Sequence, residues 1–355
     1  MTQPRTPHPR ADALPNPLNQ PAQSAAQLGY RMPGEFEPVD AVYLTTPRDR
    51  ETWPGCFEQA RRQHANYAEQ VAKLVDLQLI DDDHPWNPGD SWFRDYGPIF
   101  VLNKDNQLAA HDFHFDGWGG KYGRYPEDDV IPQRIASQLN IPIWVHDLTL
   151  EGGSIESNGK GTILTTEQCL LNPNRNPHLT RQQIEQQLHE ALGSTHVIWL
   201  PGGIEGDDTD GHIDDVARFI SPTEIAAVRA PADHPDHHTL EQNWQALEAA
   251  RDQNGEPLKL HALPAPPPLI YDYPKTSFRG KPHITPASYA NFLILNDHIL
   301  MPAFDTHTDQ PALQALQNAM PNHKIIPIPA NRLVVGLGTL HCLSMQRPCS
   351  AIVGL

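Results

Sequence analysis

Five carboxylates and one imidazole fall within nine residues, DDTDGHIDD (207–215): Asp207, Asp208, Asp210, Asp214, Asp215 and His212. A run of like charge is ordinarily a solvated turn. This one lies between two apolar stretches, HVIWL (196–200) and VARFI (216–220), which places it at a strand end rather than on a helix face. If the backbone there is extended, His212 and Asp214 point to the same side. An imidazole beside a carboxylate suits proton transfer. Metal binding is the competing chemistry, but no HExxH, CxxC or full EF-hand spacing is present, so no metal and no organic cofactor is expected.

Four further stretches carry reactive side chains. In DSWFRDYGP (90–98), Asp90, Arg94 and Asp95 flank the aromatic pair Trp92 and Phe93, which a structural salt bridge would also explain. The glycine-rich segments FDGWGGKYG (115–123) and EGGSIESNGKGT (151–162) suggest a phosphate loop, but Lys160 is followed by Gly161 rather than Ser or Thr. Ser157-Asn158-Gly159 reads as a hairpin turn instead. In GLGTLHCLSMQ (336–346), Gly336 and Gly338 permit close backbone approach ahead of Cys342. Cys342 is the candidate nucleophile with His212 as its acid/base partner, whereas His341 should face the other way and be structural. Cys169 and Cys56 read as small buried hydrophobes. Asn291, in ASYANF (287–292), occupies the equivalent loop position of another repeat.

The elements that must position these residues recur. Apolar spacing predicts helices over 55–76, 128–139, 179–192, 238–251 and 309–320. Thr180 with Gln183 forms a capping-box signature at the third. A short apolar strand follows each helix (77–80, 141–145, 196–200, 258–263 and 324–328), then a polar loop, and hairpin-like pairs follow the first four loops. A strand around 342–353 can pair with 40–47. Five units of about 60 residues with their loops meeting centrally predict an α/β propeller-like ring, an open α/β sheet being the alternative. Residues 1–28, rich in Pro, Gln and Asn, read as a disordered tail before one catalytic domain over 29–355.

Composition narrows the partners. Lys and Arg total 26 against 43 Asp and Glu, a net charge of −17, which disfavours nucleic acid and a polybasic membrane anchor and favours cationic ligands. No apolar run reaches the ~18 residues of a membrane span. The N-terminus shows no apolar signal region, and four cysteines are too few to staple the chain, so a cytoplasmic protein with free thiols is expected.

DSWFRDYGP, FDGWGG, EGGSIESNGKGTILTTEQCLLNPNRNPHL, GDDTDGHIDDVARF, ASYANFLILND and LHCLSMQRP, in this order, resemble the agmatine deiminase and bacterial peptidylarginine deiminase family, guanidine-modifying proteins of the pentein superfamily. The resemblance covers about residues 29–348. It implies a five-bladed α/β propeller of ββαβ modules around a pseudo-fivefold axis, and hydrolytic deimination of a small cationic guanidinium. It further implies Cys342 as nucleophile, His212 as general acid/base, and Asp95 and Asp214 as the carboxylates gripping the guanidinium. Trp92 would line the site, and Asn291 would stand beside the cysteine. Glu151 belongs to a family motif and is grouped with the substrate-binding residues. Asp208 stands where agmatine-specific members often place a carboxylate for the distal amine, and Asp116 where the family usually has Asn. Agmatine, yielding N-carbamoylputrescine and ammonia, is the expected substrate. A peptide with C-terminal arginine is the alternative, with Arg124 or Lys121 meeting its carboxylate. An amidinotransferase would need an amine-acceptor site that is not evident, and the His-rich run DHPDHH (233–238) motivates a non-enzymatic metal-binding reading. The oligomeric state is left open.

Overall fold

The computed structural model describes residues 19–122, 127–277 and 280–351. Its fold is mixed α/β, and among these residues five three-stranded sheets share one plan. The strands of the first are Ser344–Pro348, Val39–Thr45 and Asp76–Ile80; of the second, Ile99–Leu102, Leu108–His114 and Ile143–Thr149. The third has Ile155–Ser157, Thr162–Thr166 and His196–Leu200; the fourth, Ala217–Ser221, Glu224–Arg229 and Lys259–Pro264; the fifth, Leu293–Leu295, His298–Ala303 and Lys324–Pro329. Each central strand pairs antiparallel with one neighbour and parallel with the other.

A parallel pair needs a crossover connection, and each is supplied by one of the expected helices: Phe57–Ala72, Ile131–Leu139, Arg181–Leu192, His237–Ala249 and Asp309–Ala319. Arg181–Leu192 starts with the anticipated capping box and stops at Gly193, whose φ of +62° ends the helix in the left-handed region. Central strands are buried on both faces; Ile225, Ala226, Ala227 and Val228 are all buried, as coverage of a parallel pair requires. The C-terminal strand joins the N-terminal one antiparallel, as the sequence suggests.

Two expectations need correction. Of the tail 1–28, residues 1–18 lie outside the described residues, but 19–28 pack on the body. Asn19 bridges Pro142, the Trp144 indole donates to the Gln23 carbonyl at 2.8 Å, and Ala25 is buried. The Ala26 amide also donates to the Glu190 carbonyl at 3.0 Å, and such local contacts are what composition averages conceal. The hairpin of Leu269–Asp272 with Pro282–Thr285 was not anticipated. It follows PAPPPL (264–269), and prolines argue against strand. Its Tyr271 hydroxyl donates to the Pro54 carbonyl, and that of Tyr273 to Val335 next to the cysteine loop.

The loop after each parallel strand carries the chemistry: Asp90–Asp95, Glu151–Ser154, Asp207–Asp215, Ser288–Asn291 and Gly336–Cys342. Among the described residues no helix is long and apolar enough to cross a membrane.

Candidate active site

Gly153 marks where three of these loops converge. A Cβ there would sit 2.6 Å from His212 Nδ1, 2.9 Å from Asp95 Oδ1 and 3.1 Å from Asp214 Oδ2. Only hydrogen fits, which lets the Gly153 amide donate to Asp95 Oδ1 at 3.0 Å. His212 and Asp214 do face one way, but through a turn of 3₁₀ helix over Ile213–Asp215 rather than an extended strand. Asp207 shapes that turn by accepting from the amides of Thr209, Gly211 and His212.

Cys342 is 7% exposed and lies on the wall of a cavity of about 390 Å³, together with Asp95, Trp92, Trp118 and the rim residues Asp49, Glu51, Asp208 and Lys121. Its Sγ receives the Asn291 amide at 3.0 Å and stands 3.5 Å from Asp214 Oδ2. Asn291 Oδ1 in turn accepts from Thr339 Oγ1 at 2.6 Å and the His341 amide at 3.0 Å, which fixes the loop around the sulfur. Gly338 is required for closeness: a Cβ would meet the Trp92 ring at 2.6 Å and Cys342 Cβ at 3.0 Å. Burial, then the Asp214, Asp215 and Asp95 carboxylates, push the thiol well above its ordinary range, so the site without ligand holds a protonated sulfur.

Asp95 takes the Trp118 indole at 2.9 Å on its other oxygen. Burial raises its carboxyl to about 6, the nearby His212 opposing. The opposite balance holds for His212: burial disfavours its cation, but the Asp95 carboxylate 3.7 Å away and Glu151 at 3.9 Å outweigh it, and the imidazolium persists well above the histidine norm. Asp214, in contrast, is lowered despite burial, by hydrogen bonding to His341 at 2.7 Å. Its Oδ1 has no hydrogen-bond partner among the described residues. Asp215 is raised well above the carboxylate norm by burial and by Asp214. Asp95 and Cys342 line the cavity, and His212 and Asp214 lie buried directly behind them around Gly153. A protonated imidazole, two buried carboxylates and a thiol so grouped can bind a planar cation and attack its carbon.

The Porphyromonas-type peptidyl-arginine deiminase family matches residues 31–348. The chain belongs to that family. It is 31% identical to the agmatine deiminase of Enterococcus faecalis, with a TM-score of 0.88 over 93% of this chain and 99% of that one. A Vibrio parahaemolyticus relative, named provisionally as an agmatine deiminase, is 34% identical over 91% of this chain and 98% of its own. A DDAH of Pseudomonas aeruginosa, 15% identical with a TM-score of 0.51 over 87% of this chain and all of its own, shares the fold. The family makes the chain a hydrolase that deiminates guanidines, acting on their C–N bonds.

For a deiminase of this family the structure brings Cys342, His212, Asp95, Asp214, Trp92 and Asn291 together. Asp208 reaches the rim, where its carboxylate meets the Tyr122 hydroxyl and its carbonyl the Lys121 ammonium at 2.5 Å. Two assignments change, those of His341 and Cys169. Glu151, fully buried like Asp214, is held by Arg175 Nε at 2.9 and 3.0 Å and lies 3.9 Å from His212. Although burial opposes it, Arg175 keeps Glu151 ionised to about 2. His341 does not point away but bonds Asp214. Cys169 is buried against His212 and Glu151 rather than among apolar side chains alone, their ligand atoms lying within 4.8 Å of one another. Asp116 caps the short helix that carries Trp118, accepting from the Gly119 amide at 2.7 Å.

Sequence reasoning missed Glu35, Arg175 and Trp118. Arg175 lies in the quoted NPNRNPHL run, and nothing in the glycine-rich segment that holds Glu151 points to it as a partner. Two further clusters could also hold a cation by ligand type, Glu35–Glu156–His341 and Asp214–Asp215–Cys342. In the first, both Glu35 oxygens already face guanidiniums, those of Arg94 and Arg218. Arg124, offered for a peptide carboxylate, lies outside the described residues.

Proposed function

We propose that this enzyme hydrolyses agmatine to N-carbamoylputrescine and ammonia through a covalent amidino-cysteine intermediate, in a single cytoplasmic domain over 29–355 whose five sheets stand as blades about a pseudo-fivefold axis. The observation that carries the chemistry is the meeting of His212, Asp95 and Asp214 at Gly153 beside the Cys342 sulfur. A Campylobacter jejuni agmatine deiminase with one cysteine changed to serine holds substrate, and it is 29% identical with a TM-score of 0.81.

Asp95 and the free oxygen of Asp214 grip the guanidinium, and Trp92 packs along the cavity wall. Bringing a cation against Asp95 and Asp214 cancels much of the field that keeps Cys342 protonated, so ligand binding itself favours the thiolate, the thiol proton passing to solvent as the cation enters. The thiolate attacks the central carbon, forming a C–S bond and a tetrahedral adduct. Protonated His212 gives its proton to the leaving nitrogen, the C–N bond breaks, and ammonia departs. Neutral His212 then takes a proton from water. The hydroxide adds to the same carbon, the C–S bond breaks with its electron pair returning to sulfur, the adduct's hydroxyl proton passes to solvent, and the neutral ureido product leaves with the thiolate regenerated.

The tail of the substrate meets an acidic mouth. Asp49, Glu51 and Asp208 line it, as does Asp90, whose carboxyl burial pushes up to about 7. Lys121, the candidate for a peptide carboxylate, spends its ammonium on Asp210 at 2.6 Å and the Asp208 carbonyl. Both features favour an amine end over a carboxylate end. Ammonia release from agmatine, free arginine and a C-terminal-arginine peptide at equal concentration tests this. Agmatine should be turned over fastest; turnover of the peptide without agmatine would overturn the assignment.

A further inference from the structure

His341 lies between two carboxylates. Its Nδ1 is 2.7 Å from Asp214 Oδ2, and its Nε2 is 2.8 and 3.0 Å from the two oxygens of Glu35. Both distances are those of charge-assisted hydrogen bonds. An ionised carboxylate only accepts, and a neutral imidazole carries one hydrogen, so two such bridges need a second proton on the ring.

The charges around it agree. From every side the ring is faced by Glu35 and Glu156, by Asp214, and by the Arg94 and Arg218 guanidiniums. Arg94 binds Glu35 at 2.9 Å and sends its Nε to the His341 carbonyl at 3.3 Å; Arg218 binds Glu35 and Glu156. All are buried. Three carboxylates against two guanidiniums leave one negative charge out of water, and the extra ring proton removes it. Burial, then the Arg218 and Arg94 guanidiniums, push the ring below the histidine norm against Glu35 and Asp214; the second proton follows from the geometry of the two bridges, each of which would otherwise aim a lone pair at an oxygen anion.

We propose that His341 is a positioning residue of the deimination: an imidazolium clamped between Glu35 and Asp214 that ties down Asp214 Oδ2 and leaves Oδ1 for the guanidinium. It touches no reacting atom. It acts through Asp214, whose free oxygen is unpartnered among the described residues, and its kinetic consequences rest on the proposed guanidine chemistry.

The test has two arms. In the full-length protein labelled with nitrogen-15 at histidine, the His341 signals, identified by their loss in His341→Asn, should report both ring nitrogens protonated at pH 7. A neutral tautomer there would overturn the proposal, whatever the enzyme turns over. In kinetics with agmatine, His341→Gln should raise KM by roughly 10- to 100-fold, the worth of one charge-assisted bond. His341→Asn, which can still offer a donor to Asp214, should recover part of that. Both variants should move the acid limb of kcat/KM to higher pH, because Asp214 without its cation protonates earlier. Variants with wild-type melting temperature, KM and acid limb would equally sink it. If the variants do not fold, the His341 ring signals of the wild type, assigned through bonds from its backbone, decide alone. A wild type that releases no ammonia while His341 reads as imidazolium would refute the substrate and leave the clamp standing.

Discussion

Two buried histidines stand beside Asp214, which lies 3.5 Å from the Cys342 sulfur, and they are held in opposite ways. His341 is saturated: both ring nitrogens have carboxylate partners within 3.0 Å, and one of those carboxylates, Glu35, is anchored by Arg94 and Arg218. His212 is loose: its contacts to Asp95 and Glu151 are 3.7 and 3.9 Å, and Nε2 has no hydrogen-bond partner among the described residues. Both rings are buried. A group that must give a proton away and take one back needs an unfilled valence, whereas a group that fixes another's geometry needs none. Catalytic hydrogen bonds are often long until substrate arrives. On the proposed mechanism, the contrast gives turnover chemistry to His212 and architecture to His341.

The comparison can be broken most sharply at the atoms that react. Cys342→Ser should lower kcat by about 10⁴-fold or more, the scale on which loss of a nucleophile is felt, with circular dichroism and melting temperature unchanged. Residual turnover near wild type would remove the sulfur from the mechanism. His212→Asn should lose about 10²- to 10⁴-fold in kcat, the usual contribution of general acid/base catalysis. If that variant loses less than His341→Gln does, the two histidines have been assigned the wrong way round.

Why one histidine was legible in the sequence and the other was not follows from how each is placed. His212 sits inside a dense acidic loop at a strand end, so its neighbours in sequence are also its neighbours in space. His341 meets Glu35, 306 residues away, and Asp214, 127 residues away, and no local pattern carries that information. The same divide runs through the rest. Helices with 3.6-residue periodicity, the capping box at Thr180, and apolar strands such as His196–Leu200 were readable because each is a local matter of burial and capping. Glu35 stands in a loop without periodicity, and Arg175 among asparagines and prolines, and both matter only for partners across the fold. Alternation likewise suggested that residue 341, next to Cys342, must face away. It fails because Leu340–Cys342 form a turn rather than a strand.

Asp95 sharpens the comparison through pH. Its carboxyl sits at about 6 because burial outweighs His212. Below that pH it is protonated and neutral, and it loses its hold on a cation; above it, the charge is present. The kcat/KM profile, which reports the free enzyme, should therefore fall as pH drops through about 6. Asp95→Asn should flatten that limb while costing roughly 10- to 100-fold. A limb that persists unchanged in the variant would assign the titration to another group, with Asp90 at about 7 the nearest candidate on the cavity wall.

The smallest effect is expected at the rim. Asp208 is half-buried, and its carboxylate is already engaged by the Tyr122 hydroxyl. A cationic tail meeting it there gains only a screened, solvent-touched contact, on the order of 1 kcal/mol or less. Asp208→Asn should accordingly raise the KM for agmatine by no more than about fivefold and leave kcat alone. Raising salt should shrink even that difference, since exposed charges are screened within about a Debye length. A fall in kcat instead would mean that the rim controls the orientation of the guanidinium itself, tying Asp208 to the His212 side of the site through the loop that Asp207 and Gly211 hold in shape.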